Sequence, residues 1–349
     1  LHVAEPSVRD HGGPVPASFF DLAVFASYNA VKLRVRQAGV YLYLHGVHGH
    51  QEARLWKRLF EFMEEHLGLP RGTFRATVLL DSLAAALEAD EILFELDHHS
   101  AGLALDPQMY AADHILLFSA PDRAVLPDRE RIGLNQHFLR SLSLMAISVC
   151  HKRQAHAIGA PAFTLPPDER GRTRTGWLEM IADKEREAVD GHDGTIVAHP
   201  GSVNPAMTEF NKSMPRSHQM YYERPDRSKP SDLVQRPSGP ISTEGLVEAV
   251  RTVLTALAAR ERGTAIVEHG GRSHDRASIR LSTLLLWSWT RSSHGIVTDT
   301  GLEIHDELIG YLIKKEAGKL LGRSEAATRA VDTLTAAMLA PTPPNDLIG

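Results

Sequence analysis

Apolar residues along the chain fall into two patterns that alternate. Short runs rich in aliphatic and β-branched residues are separated by longer segments in which apolar positions recur every three or four residues. The short runs, each predicted to be a β-strand, are 40–44, 76–80, 91–96, 155–163, 195–199 and 264–267. Strands that alternate with helices are typical of a parallel sheet, so this order predicts an α/β sheet or barrel.

The helical segments carry their own start and stop signals. Apolar side chains recur at helical spacing through residues 52–67, and Gly68 is placed to end that helix. Ser242 is a suitable N-cap for a later helix. Further helices are predicted over 246–259, 276–291 and 303–321, before a Pro-rich tail.

One long stretch has no apolar period. Residues 211–240 are rich in Pro, Ser, Arg and Tyr, which predicts an irregular connection. This connection divides the chain into an α/β body over residues 1–240 and a mostly helical part over residues 241–349. No internal repeat of solenoid length is evident.

Composition narrows the class of protein. The 349 residues are 43% hydrophobic and 23% charged, with a formal net charge of -5, so neither nucleic acid nor an anionic membrane is an expected partner. No apolar run approaches the roughly 18 residues of a membrane span. The single cysteine, Cys150, lies in an apolar helical pattern and is predicted to pack in the core. We therefore expect a cytoplasmic protein.

Several segments resemble one enzyme family in the same order along the chain. They are 50–56, 69–80, 99–103, 150–159, 182–201 and the Trp287-Ser-Trp289 helix, of which 182–201 is the most specific. On these segments the chain is identified as a member of the short, A-type malate synthase family over nearly its whole length. The resemblance implies a (β/α)8 TIM barrel with a helical C-terminal cap, and it places the last barrel elements and the catalytic loop in residues 241–349. Catalytic groups would lie on loops at the C-terminal ends of the barrel strands.

The resemblance also implies a reaction. The family condenses acetyl-CoA with glyoxylate and hydrolyses the malyl thioester, a step of the glyoxylate cycle. Such chemistry uses Mg²⁺ on acidic side chains to polarise the aldehyde, a carboxylate base, a cation for the enolate and a cleft for CoA.

Asp275 falls where the family has its catalytic base. It ends the segment Gly270-Gly-Arg-Ser-His-Asp275, twelve residues before Trp287, although its immediate neighbours differ from the family's. The alternative interpretation is that Asp275 simply caps the helix that begins at Arg276. The two roles are geometrically compatible.

The expected magnesium ligands are altered. Asp81 occupies the position of the family's first ligand, a glutamate, and its shorter side chain predicts weaker Mg²⁺ binding. Met109 occupies the second ligand position, and a thioether is too soft for Mg²⁺. Asp106 is the candidate replacement ligand; the alternative is a turn residue before Pro107. The resemblance thus predicts a weakened or lost Mg²⁺ site.

The start of the chain leaves one catalytic group open. Leu1 and His2 align with the end of the segment that contains the family's enolate-stabilising arginine, so that arginine would precede Leu1. Either the chain is a fragment, or a strand and a cation are missing.

Three histidines, His45, His48 and His50, stand where the family has a different loop. They are interpreted as a transition-metal site or as solvated loop residues.

The CoA cleft is predicted from two retained segments. By resemblance, the loop formed by Ala198, His199, Pro200 and Gly201 lines the CoA channel. Lys152 and Arg153 could contact CoA phosphates, or they could form a basic helix end that balances the helix dipole.

Three functional hypotheses follow. The first is a malate synthase-like acyltransferase that acts on acetyl-CoA and glyoxylate. The second is a catalytically impaired barrel with a binding or regulatory role, favoured by Met109. The third is a lyase of malyl-CoA type, which has the same metal requirement.

Overall fold

The computed structural model describes residues 4–10, 13–118, 125–167, 174–225, 228–261, 263–322 and 324–348. Leu1 and His2, which carry the expectation about the upstream arginine, lie outside these residues.

Two classes of element build the described chain. The strands are β1 (Ala4–Asp10), β2 (Gly13–Pro16), β3 (Val40–Leu44), β4 (Phe74–Leu80), β5 (Ser100–Leu105), β6 (His156–Ile158), β7 (Val267–His269), β8 (Arg272–His274), β9 (Ile296–Val297) and β10 (Leu302–Glu303). The helices are α1 (Ala17–Val35), α2 (His50–Leu67), α3 (Leu83–Leu87), α4 (Ala89–Leu96), α5 (Pro107–Leu117), α6 (His137–Lys152), α7 (Arg174–Asp190), α8 (Val203–Ser213), α9 (Thr243–Arg260), α10 (Arg276–Arg291), α11 (Asp306–Leu320) and α12 (Glu325–Leu339).

A parallel sheet forms the centre of the fold. Its strand order is β3-β4-β5-β6, and single parallel bridges from Ile158 to Gly194 and from Ala162 to Val197 continue it with a fifth extended segment. The remaining strands pair as two-stranded antiparallel ribbons, β1 with β2, β7 with β8 and β9 with β10. The predicted α/β class is therefore confirmed, while closure into an eight-stranded barrel stays a prediction.

Helix α2 shows how the sequence pattern produces the packing. Its side chains Trp56, Phe60 and Met63, spaced by four and three residues, are all at most 4% exposed. Phe60 stacks on Phe74 of β4 with ring centroids 5.7 Å apart. The helix ends at Gly68, whose φ of 63° is the left-handed conformation that glycine adopts at low cost.

The C-terminal helices pack on one another and on the α/β part. Helix α9 contacts α10, α11 and α12, and α10 also contacts α5, which follows β5. Trp289 of α10 is fully buried, and its indole N–H donates to the Leu126 carbonyl at 2.8 Å. Among the described helices, none combines the length and the apolar character that crossing a bilayer requires.

Several sequence predictions differ from the structure. Of the strand predicted over 155–163, only His156–Ile158 forms a strand, and the strand predicted over 195–199 is replaced by isolated bridges at Gly194 and Val197. Residues 91–96 were predicted to be a strand but belong to α4, because Ile92, Leu93 and Leu96 are buried at helical spacing while Phe94 is 63% exposed. Strand β5 and helix α12 are two of the elements that the sequence did not predict. The small residues of β5 and the Ala-rich pattern of α12 give weak periodic signals.

Gly102 is the residue that allows β5 to lie against β6. Its φ is +141°, and a Cβ at this position would lie 1.9 Å from the His156 carbonyl oxygen. We expect Gly102→Ala to lower the free energy of unfolding by about 2–3 kcal/mol in urea titrations. Gly310→Ala in α11, where a Cβ meets nothing within 4 Å, is the matched control and should stabilise by up to about 1 kcal/mol. Equal effects of the two substitutions would contradict this account of the strand pairing.

Candidate functional site

Three carboxylates meet at the C-terminal end of the parallel sheet. Asp81 directly follows β4 and Asp106 directly follows β5, so the parallel register brings both to the same edge. Asp275, the N-cap of α10, lies close enough to act electrostatically on Asp106, as Asp81 also does. We call Asp81, Asp106 and Asp275 the acidic cluster.

Asp81 is buried with half of its hydrogen-bonding capacity unused. Its Oδ2 accepts the Gly46 N–H at 2.7 Å, while its buried Oδ1 has no partner among the described residues. Burial raises the pKa of Asp81, against the opposing effects of the Gly46 N–H and of nearby His48 and His45.

Asp106 lies near Asp81 and Asp275, a position that its sequence context did not reveal. Its side chain is 6% exposed and caps α5 by accepting the Met109 N–H at 3.0 Å. Burial, reinforced by the negative charges of Asp275 and Asp81, raises the pKa of Asp106 to about 7 although the Met109 N–H lowers it. Asp106 is therefore a helix cap that is also buried near the other two carboxylates, and its role as a metal ligand stays a prediction.

Asp275 caps α10, which is one of its two predicted roles. Its Oδ1 accepts the Ser278 N–H at 2.9 Å and the Ser278 hydroxyl at 2.7 Å, which makes it the helix cap. The side chain is half-buried. Among the described residues, its carboxylate accepts only these two hydrogen bonds from Ser278. One oxygen is thus fixed by Ser278, and the other accepts no hydrogen bond from a described residue.

A cavity of about 150 Å³ lies beside this cap. Its walls include Gln108 at the start of α5, residues 160–164 after β6, and Ser273 and Ser278 on either side of Asp275. Two arginines, Arg129 and Arg272, line it as well. Sequence reasoning missed both arginines; the one available signal was the position of Arg272, three residues before the candidate base.

Arg129 is held by a neutral histidine. Its Nη1 donates to His274 Nδ1 at 3.0 Å, and the His274 Nε2–H donates to the His269 carbonyl at 3.1 Å. Burial, and then the charge of Arg129, lower the pKa of His274 to about 4. His274 therefore stays uncharged at neutral pH and leaves the positive charge on Arg129.

The candidate CoA residues are found at opposite ends of the sheet. The loop of Ala198, His199, Pro200 and Gly201 follows the extended segment that pairs with β6, so it lies at the same end as the acidic cluster. His199 Nδ1 accepts the Gly201 N–H at 3.0 Å, which fixes the turn.

Lys152 and Arg153 lie elsewhere. They end α6 and precede β6, so they are at the N-terminal end of the parallel strands. Arg153 makes a two-pronged contact with Asp90, from Nε at 2.6 Å and from Nη2 at 2.9 Å, and Lys152 Nζ lies 3.5 Å from the same carboxylate. The structure does not bring these two cations to the acidic cluster.

The histidine loop does not form a metal centre. His50 pairs with Glu88 at 2.7 Å, whereas His45 lies in electrostatic reach of Asp81 and Asp275. Across the described residues, no group of three or more His, Cys, Asp or Glu side chains is arranged to hold a metal ion. Cys150 is fully buried in α6.

His151 carries a charge deep in the fold. Its Nδ1 lies 2.7 Å from the Tyr222 carbonyl and its Nε2 lies 3.2 Å from Asp193 Oδ2. Because both partners are acceptors, both ring nitrogens must donate, which requires the imidazolium form. Burial lowers the pKa of His151, but the hydrogen bonds to Asp193 and Tyr222 outweigh it and raise the pKa above its usual value.

This histidine gives a pH-dependent prediction. Since the folded-state pKa of His151 is raised, its stabilisation is fully present below the unfolded value of 6.5 and is lost as pH rises through the folded value. We expect His151→Gln to cost about 2 kcal/mol of unfolding free energy at pH 6 and clearly less at pH 9, measured by urea titration. A cost that does not change with pH would show that His151 is neutral.

Carboxylates at the C-terminal end of a parallel sheet, with a small cavity beside the Asp275 cap, stand where α/β proteins place their functional sites. Comparison with known proteins identifies the chain further. The family model described as malate synthase, TIM barrel domain, matches residues 1–236. The chain belongs to the malate synthase family.

Individual relatives agree. The chain is 35% identical over 321 residues to a malate synthase of Myxococcus xanthus (strain DK1622), covering 91% of this chain and 59% of the relative. It is 36% identical over 325 residues to a malate synthase of Streptomyces clavuligerus, covering 90% of this chain and 60% of the relative. The chain thus spans about three fifths of the length of these relatives.

A solved structure shares the fold. The Haloferax volcanii malate synthase in a pyruvate/acetyl-CoA ternary complex superposes with a TM-score of 0.54 over 90% of this chain and 74% of that chain. At 14% sequence identity, this likeness supports the architecture alone.

Proposed function

We propose that the chain is a malate synthase that condenses acetyl-CoA with glyoxylate, with Asp275 as the catalytic base. The observation that carries the proposal is the Asp275 carboxylate, which has one oxygen fixed by Ser278 and lies beside a cavity at the C-terminal end of the sheet. Family membership supplies the reaction class, because a fold alone does not define chemistry.

The proposed steps use the residues of this site. Asp275 removes a proton from the methyl group of acetyl-CoA, and the methyl carbon of the resulting enolate forms a bond to the aldehyde carbon of glyoxylate. The aldehyde oxygen takes up a proton from solvent, and Asp275 returns the proton that it removed to solvent. Water then attacks the malyl thioester, the C–S bond breaks, and malate and the CoA thiol leave.

The CoA cleft is proposed at the loop of Ala198, His199, Pro200 and Gly201. This loop lies at the same end of the sheet as Asp275, so a thioester beside it can reach the base. Lys152 and Arg153 lie at the other end, which favours their alternative role as a basic helix end paired with Asp90.

The protein donors alone do not complete a Mg²⁺ site. Asp81 has one oxygen without a partner among the described residues, Asp106 uses one oxygen as a helix cap, and Met109 provides no oxygen. Mg²⁺ is commonly held by one or two carboxylates together with water or substrate oxygens, so Asp81 and Asp106 would supply part of its octahedral shell. None of the proposed roles of Asp275 and its neighbours depends on such an ion.

The direct test is release of free CoA thiol. The purified chain is incubated with acetyl-CoA, glyoxylate and MgCl₂, and thiol and malate are measured together. Cys150 is buried and adds little background. We expect thiol release that requires both substrates and matches malate formed. Tight acetyl-CoA binding with no release would support the binding-protein alternative instead.

A further inference from the structure

We propose that the cavity beside Asp275 is a carboxylate-binding site in which Arg272 contacts the carboxylate of a small acid and buried Arg129 supports it from behind. That the acid is a 2-oxo acid rests on the proposed function; the anion site itself does not.

The size of the cavity sets the size of the ligand. A volume of about 150 Å³ is close to that of a cavity that holds about six heavy atoms, such as benzene. Two- and three-carbon oxo acids have five and six heavy atoms. A longer acid would have to extend out of the cavity.

Arg272 is a cation without a protein partner. Within the part of the chain that the structure describes, its guanidinium makes no hydrogen bond or ion pair. Its backbone is nevertheless firmly placed, because β8 pairs with β7 and Thr164 forms an antiparallel bridge with Arg272. A rigid strand thus presents a free guanidinium at the cavity wall.

Arg129 brings a second positive charge to the same wall. It is 8% exposed, and Arg272 is near enough for its charge to act on it. Glu130 beside Arg129 offsets part of the repulsion between the two arginines, and an anion bound between them would offset the rest. An arginine guanidinium is also the side chain best shaped to bind a carboxylate through two parallel hydrogen bonds.

The carboxylates on the cavity wall are already engaged, with one exception. Glu187 accepts from Lys184 at 2.9 Å, Asp183 accepts from Arg186 at 2.5 Å, and Glu130 lies 3.4 Å from Arg129. Glu179 is exposed. These pairings leave Arg272 without a carboxylate partner.

Gln108 supplies a second unsatisfied group. Its Oε1 is buried and has no hydrogen-bond partner among the described residues, although the side chain lines the same cavity. A buried acceptor without a donor is costly, so a bound hydroxyl or water beside the acid would satisfy it.

Calorimetric titration with sodium glyoxylate tests the site. Arg272→Gln should weaken glyoxylate binding at least tenfold and leave acetyl-CoA binding unchanged, whereas Arg272→Lys should recover part of the loss. Arg131→Gln is the matched control, since its side chain is 54% exposed and lies outside the cavity. Thermal melts confirm that each variant is folded.

The outcomes separate this proposal from the proposed function. Glyoxylate binding that depends on Arg272, without any turnover, would support the anion site and overturn the proposed reaction. Turnover with a glyoxylate KM that is unchanged in Arg272→Gln would support the proposed reaction and overturn the anion site. Equal loss of glyoxylate and acetyl-CoA binding would also overturn the anion site, because it would indicate a structural role for Arg272.

Discussion

Asp275→Asn is expected to lower kcat for CoA release by about 10³-fold, while acetyl-CoA still binds. Asparagine cannot accept the methyl proton, but it is as good a helix cap as aspartate, so the Ser278 contacts and the fold should persist. Initial rates of CoA release give kcat, and calorimetric titration gives acetyl-CoA affinity, for the wild-type chain and for Asp275→Asn.

Asp306→Asn is the control for this substitution. Asp306 is the first residue of α11, is 47% exposed and pairs with Arg291 at 2.7 Å, so the same change of charge at a second helix start should leave kcat within about twofold. If Asp275→Asn also kept most of its activity, Asp275 would be a cap alone.

Asp106→Asn is expected to stabilise the protein at pH 8 by about 4 kcal/mol. The pKa of Asp106 is raised from 3.8 to about 7, a difference of about 3 units, and each unit corresponds to about 1.4 kcal/mol. Between these two values the folded carboxyl binds more protons than the unfolded one, so its cost grows as pH rises through the window and is complete above it. Asparagine has no charge to bury and can still accept the Met109 N–H.

Urea titrations of both proteins at two pH values check this prediction. The gain should fall to about 2 kcal/mol at pH 5, because the folded carboxyl is then largely protonated. Asp332→Asn, on the exposed side of α12, should change stability by less than about 0.5 kcal/mol at either pH. A gain that is the same at pH 5 and pH 8 would mean that the folded carboxyl of Asp106 is already ionised at pH 5, so that its pKa is not raised.

The sequence predicted the elements whose patterns are strong and local. Helix α10 was predicted with its observed bounds, because Asp275 precedes it and apolar residues repeat through Trp289. Strand β3 was likewise predicted in full. The sequence failed where tertiary contacts determine the secondary structure. Strand β5 contains Gly102, a residue that is unfavourable in a strand considered alone. The close approach of the His156 carbonyl explains why glycine is needed there.

The acidic cluster was predictable in part. Asp81 and Asp275 were found by their place in family segments, and Asp106 by its nearness to Met109, but the sequence could not show that Asp106 points toward the other two. Arg129 is separated from Arg272 by more than a hundred residues, so only the fold reveals that both line one cavity.

The role of Lys152 and Arg153 shows a limit of a different kind. Their charge suggested contact with phosphates, yet a residue before a parallel strand and a residue after it lie at opposite ends of the sheet. Both precede β6, whereas Ala198 follows its pairing segment. Topology therefore separates residues that composition alone would group.

The proton that we propose Asp275 abstracts comes from the methyl group of acetyl-CoA, and its exchange can be measured directly. Deuterium incorporation into the acetyl methyl group, followed by NMR in D₂O with pyruvate as a second ligand, measures this step without requiring condensation. We predict exchange that depends on the wild-type chain and falls to the uncatalysed rate in Asp275→Asn. Exchange that is equally fast in Asp275→Asn, or its absence from a wild-type chain with acetyl-CoA bound, would contradict the account.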